Sequence, residues 1–192
     1  DDCMSENNKH TALIPSKNIA DEAGKRNAPK SARKGEPLLH MTEDMRRLST
    51  PWAISMARAK QIEASDLPAG VILDAAAGSG AQLIALATEL KRPALGIELD
   101  GNIAVLCAAN MHIASDGDQI QRTLDRVIIG DGSDAEGAIT AYWNSLRKSG
   151  TRAHPPIAML HLDPARPRDA QNHHIDEMKP PLKSVLNSVS YT

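Results

Sequence analysis

Four short acidic or glycine-bearing clusters stand out for the chemistry that they could do together. They are Asp74-x-x-x-Gly78-x-Gly80, Glu98, Asp131-Gly132 and Asp163-Pro164. A small-residue turn with Gly78 and Gly80 lets a ligand approach the backbone closely, and the first amides of a following helix are unpaired donors facing it. Glu98 lies 18 positions after Gly80, the place where an acid at a strand end accepts hydrogen bonds from two ribose hydroxyls. Taken alone, Glu98 would be an ordinary strand-end acid; the spacing favours ribose. Asp131 could accept from an adenine amino group, or simply serve as a turn residue. Asp163 is expected at a sheet edge, in a loop fixed by Pro164 and Pro167.

These residues need a scaffold that brings strand ends together. Val71 to Leu73 is a short apolar run that meets Asp74. After the glycine turn, Leu83, Leu86, Ala87 and Leu90 share one helical face, and the helix is expected to end near Lys91-Arg92-Pro93. Ala94–Leu99, Arg126–Gly130 and Ile157–Leu162 read as further strands. Between them, Asp100 can cap a helix carrying Ile103, Leu106, Cys107 and Met111, and Asp134 one through Ala138, Ile139, Tyr142 and Leu146. Such spacing suits successive right-handed crossovers, and so a parallel sheet covered on both faces. Thr50-Pro51 is a helix start, with Thr50 as N-cap and Pro51 at the first helical position, before the stripe of Trp52, Met56, Ala59 and Ile62. Pro180-Pro181 opens a last short helix through Leu182, Val185, Leu186 and Val189.

Composition sets the bounds. A length of 192 residues allows one α/β domain with a tail, and a net charge of −2 gives no global field pointing to a polyanionic partner. There is no Phe and there are only two Trp and two Tyr, so the core must be aliphatic. Cys3 and Cys107 suggest neither a disulfide framework nor a metal cluster, and Cys107 fits a buried helix face as a small apolar residue. No apolar run approaches transmembrane length and no signal peptide is visible, so no membrane partner and a cytoplasmic location are expected. Residues 1–47 lack sustained periodicity and read as a flexible polar and basic arm; residues 48–192 read as the folded core. In that arm Lys25, Arg26, Lys30, Arg33 and Lys34 form a basic run, either a solvated tail or an RNA-binding arm.

The order and spacing of the four clusters resemble the class I S-adenosylmethionine-dependent methyltransferases, over roughly residues 49–186. The resemblance implies a Rossmann-like three-layer α/β/α sandwich with a mainly parallel sheet. It also implies that the C-terminal strands of that seven-stranded fold are missing and the core is incomplete. It assigns Asp74, Ala76 (where many members have Gly), Gly78 and Gly80 to the loop around the cofactor. Glu98 becomes the ribose acid, Asp131 and Gly132 the adenine contacts, and Asp163 with Pro164 the motif facing methyl group and substrate. Ser49-Thr-Pro-Trp52, Leu162-Asp-Pro-Ala-Arg166 and Pro180-Pro-Leu182 further resemble bacterial and archaeal methyltransferases bearing a THUMP-like domain, which implies an RNA substrate.

Competing chemistries fit less well. Enzymes methylating base amino groups usually carry Pro-aromatic after the Asp-Pro pair, and Ala165-Arg166 offers no stacking platform. Arg166 could contact phosphate or pair with Asp163. No cysteine follows that motif, which disfavours covalent carbon methylation. His161, Asp163, His173, His174 and Asp176 concentrate possible ligands but match no firm metal spacing, so no metal is expected. An NAD-dependent oxidoreductase would want a third glycine where Leu83 stands. A catalytically silent cofactor-binding module in RNA binding or assembly is the non-enzyme alternative.

Overall fold

The computed structural model describes residues 9–63, 67–114, 123–164 and 177–189. Thr11–Leu13 (β1), Val71–Asp74 (β4), Ala94–Glu98 (β5), Arg126–Ile129 (β6) and Ile157–His161 (β7) form one sheet in the order β1-β6-β5-β4-β7. The last four strands run parallel, and β1 pairs antiparallel with β6. Lys30–Ser31 (β2) and Leu38–Leu39 (β3) make a separate two-stranded ribbon.

Alternation along the strands splits the core into two layers. Ile72 and Val127 face a cluster that includes Ala59, Leu83, Ile84, Cys107 and Met111, drawn from Trp52–Glu63 (α3), Ala81–Leu90 (α4) and Gly101–Ala114 (α5). Val71, Leu73, Leu95, Ile97 and Ile128 face the other way, onto Ala138, Ile139, Tyr142 and Leu146 of Ala135–Lys148 (α6), with Val189 of Leu182–Val189 (α7) beside them. The result is the expected α/β fold, a mostly parallel sheet between two helical layers, consistent with a Rossmann-like three-layer sandwich. Sheet strands buried on both faces read as near-continuous apolar runs, which is why β4 to β7 were legible.

The N-terminal segment differs from the expected flexible arm. Over residues 9–47 it holds β1, then Lys17–Arg26 (α1), whose Ser16 cap accepts from the Ile19 amide at 3.4 Å, then the ribbon. Glu43–Leu48 (α2) follows, capped by Thr42. Ala23 of α1 is buried against Leu106 and Ala109 of α5, with Met45 of α2 beside them. β1, the ribbon strands and α2 are too short to show a period; α1 is as long as α4, but its apolar positions are mostly alanines and a single Ile19, and they are ordered by the core they cover.

The start of α3 also differs by one residue. Pro51 precedes the helix and its carbonyl accepts from the Ile54 and Ser55 amides. The Trp52 amide is capped not by Thr50 but by the Glu36 carboxylate, 2.8 Å away, which the ribbon delivers. A side chain 16 residues upstream does the capping, so no local pattern could announce it.

Candidate functional site

The order of the parallel strands, β6-β5-β4-β7, places a reversal of winding between β4 and β7. In open parallel sheets, ligands bind beyond the carboxyl ends of the strands at such a point. Asp74 closes β4 and His161 closes β7, and the two residues are register partners. A cleft of about 200 Å³ opens there, lined by Asp74, Ala76, Gly78, Ser79, Gln82 and Asp163 on one side. Met45 and Leu48 of α2, with Ser49 and Thr50, wall the other.

The glycine turn is held from beneath. Gly78 sits at φ 53° and Gly80 at φ 78°, left-handed conformations that favour glycine. A Cβ at Gly78 would meet nothing within 4 Å, so this backbone faces open space. Gly80 has the opposite surroundings: a Cβ there would lie 2.8 Å from Cys107 Sγ. Gly78 is therefore the open approach, and Gly80 packs the turn onto α5. Burial pushes the Cys107 thiol pKa well up, helped by the charges of Asp74 and Glu98, so the residue behaves as a small apolar side chain.

Glu98 is already bound into this turn. Its Oε2 accepts from the Gly78 amide at 2.9 Å and its Oε1 from the Asp100 amide at 2.9 Å. Asp100 in turn caps α5 through the Asn102 and Ile103 amides. Asp74 is nearly inaccessible. Its Oδ1 accepts from the Ala76 amide at 3.0 Å and its Oδ2 lies 2.9 Å from His161 Nδ1. An ionised carboxylate only accepts, so Nδ1 carries the proton and Nε2 of the neutral ring is left as the acceptor. Burial pulls the His161 pKa down, as does the Arg58 guanidinium, but the hydrogen bond to Asp74 and the charges of Asp74 and Asp163 outweigh both and hold it above its ordinary value.

Asp131 and Gly132 do not line the cleft, although Gly132 abuts Ala75, between the cleft residues Asp74 and Ala76. Asp131 is exposed and accepts from the Ser133 amide at 2.8 Å, opening a 3₁₀ turn over Gly132–Asp134. Gly132 is buried, and a Cβ there would overlap the Ala75 carbonyl and stand 3.1 Å from Pro180. α7 seats over this turn, with Ser188 Oγ accepting from the Glu136 amide. Asp163 is exposed at the cleft, and its Oδ2 accepts a hydrogen bond from Gln82 Nε2; Pro164 follows it. Arg166, His173, His174 and Asp176 lie outside the described residues. Among the described residues no group of three His, Cys, Asp or Glu could hold a metal ion, and no helix is long and apolar enough to cross a membrane.

Among the site residues that the sequence does not single out, two hold it together. Asn110 of α5 is fully buried; its Oδ1 accepts from the His40 amide at 2.6 Å, and its Nδ2 donates to His40 O at 2.9 Å and Ser79 O at 2.8 Å. One amide side chain thus ties the N-terminal segment to the glycine turn. Gln82 is the other: it bridges Asp163 and Arg58, whose Nη1 donates to Gln82 Oε1 at 3.0 Å. An Asn in an apolar helix was a legible signal for the first; nothing local marks the second.

A larger hollow of about 710 Å³ runs between β1 and α6, lined by His10, Asn144, Ser145 and Arg147, but it holds none of the strand-end acids. Comparison of the chain with protein-family models, with curated proteins and with solved structures gave no match.

Proposed function

We propose that this chain binds S-adenosylmethionine at the carboxyl edge of the sheet and transfers its methyl group to a nucleophile on RNA. The observation that carries the reading is the pairing of an open, left-handed Gly78 with a strand-end acid, Glu98, 2.9 Å from its amide. Unblocked backbone lets a nucleoside's amino-acid and ribose portions lie close, and Glu98 has the acceptor capacity to take up ribose hydroxyls. When bound, this cofactor would supply a sulfonium methyl group open to in-line displacement.

The chain's own residues then hold and orient. Ala76, Gly78 and Ser79 supply the backbone wall, while Asp74 shapes the turn from within through the Ala76 amide. Gly132 packs against the Ala75 carbonyl and Pro180, which leaves the exposed Asp131 carboxylate as the acceptor for a ring amino group. Asp163, fixed by Gln82, faces the same cleft and can orient an N–H or O–H nucleophile. The protein's main contribution is to keep nucleophile and methyl group aligned away from bulk water. RNA as acceptor rests on the narrower resemblance and on the basic run. Within that run Lys25 pairs with Glu22, and Arg33 is engaged by Glu36 and the Ser49 carbonyl, leaving Arg26, Lys30 and Lys34 exposed.

Calorimetric titration with S-adenosylmethionine, with NAD in parallel, tests the class. Binding of the sulfonium alone is the expected result. Glu98→Ala should weaken it by about tenfold or more, the scale of a hydrogen bond to a charged group, and unchanged affinity would show that the cofactor lies elsewhere. Transfer of labelled methyl to RNA separates the enzyme from a silent binding module.

A further inference from the structure

We propose that a second cavity, the bowl between α3 and α4, is the acceptor pocket, and that His161 is the general base that takes the nucleophile's proton. This rests on the methyl-transfer reading and adds to it where the acceptor sits and which group serves it.

The bowl, about 380 Å³, is lined by Ser55, Arg58, Gln61, Ile62, Gln82 and Leu86, with His161 at its floor. It adjoins the Gly78 cleft, because Gln82 lines both and Asp74 of the cleft is hydrogen-bonded to His161 of the bowl. Three independent features mark it as a place for a ligand. The Ser55 hydroxyl is buried and has no hydrogen-bond partner, although a helical serine commonly bonds back to the carbonyl four residues earlier. A buried orphan of this kind is costly, and a bound acceptor would relieve it. The Gln82 amide is held at both ends, its oxygen by Arg58 and its nitrogen by Asp163, so the wall between the cavities presents a hydrogen-bonded polar edge. Finally, Asp74 holds the imidazole by Nδ1 and leaves Nε2 unpartnered among the described residues, the arrangement of an oriented base.

The charged groups around His161 are Asp74 on β4, Asp163 just past β7 and Arg58 on α3. Their balance keeps the imidazole titrating above its ordinary range, which strengthens it as a base. The chemistry of the lining fits one planar heterocycle: hydroxyl, amide and guanidinium groups for its polar edge, and Ile62 and Leu86 for its faces. In the transfer step the acceptor's nitrogen or oxygen bonds to the methyl carbon as the carbon–sulfur bond breaks. The sulfonium leaves as a neutral thioether, and the acceptor's proton passes to His161 Nε2.

The test uses the full chain with ring-¹⁵N-labelled histidine and the four ribonucleosides as probes. At least one nucleoside should shift the His161 Nε2 resonance, and Ser55→Leu should abolish that shift while leaving S-adenosylmethionine affinity unchanged. If no nucleoside moves the resonance, or if the shift survives Ser55→Leu, the pocket is misplaced. His161→Asn keeps an N–H near Asp74 and removes the proton acceptor. It should cost about 100-fold or more in methyl transfer to RNA at unchanged cofactor affinity, and full activity would overturn the base role. Nucleoside binding without any S-adenosylmethionine binding by the wild-type chain would instead overturn the methyltransferase reading, and the base role with it, while the pocket would stand.

Discussion

The parallel core over residues 71–164 and the segment over residues 9–50 reach order by different routes. In the core, the strands are mainly consecutive apolar residues, and Asp100 and Asp134 cap α5 and α6 locally, while α4 starts at Gly80 without a side-chain cap. The burial of these elements is encoded within a dozen residues of where it acts. The N-terminal segment has local caps too, Ser16 for α1 and Thr42 for α2, but its placement depends on partners far away in sequence. Its β1 exists by pairing with β6, α1 by packing on α5, and the His40 backbone by the Asn110 amide 70 residues later. Yet α2 walls the Gly78 cleft, and Glu36 caps the helix that lines the acceptor bowl. The region that is least self-sufficient thus completes a site whose acids all come from the other region.

The comparison breaks most visibly at Asn110. Asn110→Leu leaves the His40 amide and carbonyl and the Ser79 carbonyl without their partner, and should destabilise the chain by about 3 kcal/mol or more in urea denaturation. Amide exchange near residue 40 should speed up at the same time. A loss under about 1 kcal/mol would mean that the two regions are joined by packing alone.

A smaller effect is expected inside the core. Gly80→Ala puts a methyl group against Cys107 Sγ at a left-handed position, and should cost about 2 kcal/mol. Cys107→Ala should return part of that cost, because the two sites are in contact. Strict additivity in this double-mutant cycle would show that backbone strain, not the close contact, sets the penalty.

Glu36→Ala should cost about 1 kcal/mol, the scale of a lost helix cap, and should lower the protection of the first turn of α3. If α3 is unaffected, the N-terminal segment covers the helix without ordering it.

The smallest effect concerns the pH dependence of the Asp74–His161 pair. The folded-state pKa of His161 is raised, so its contribution to stability is fully present below the ordinary value of 6.5 and is lost as the pH rises through the folded value. Unfolding midpoints should therefore fall over that range, and Asp74→Asn should flatten the dependence. An unchanged slope in that variant would assign the dependence to another group.

Much of this was legible in the residues themselves. Strands β4 to β7 and helices α4, α5, α6 and α7 lie where apolar runs, periodicity and caps predict them, since each is specified by local pattern. Asp74, Gly78, Glu98 and Asp163 are brought to one sheet edge, because a parallel sheet with helical crossovers carries all its strand ends the same way. The direction of their side chains was not legible. Asp74, expected in the loop around the cofactor, is turned inward to Ala76 and His161; Gly132, expected beside an adenine ring, packs against the Ala75 carbonyl and Pro180.

By itself, then, the sequence determined the element types, the parallel sheet and the positions of the strand-end acids, all products of short-range periodicity and turn chemistry. Tertiary structure alone decided that His161 pairs with Asp74, that Gln82 links Arg58 to Asp163, and that Asn110 fastens a distant segment to the glycine turn. Those outcomes rest on hydrogen bonds between residues 24 to 87 positions apart, and no spacing in the chain encodes a contact that only the closed sheet creates.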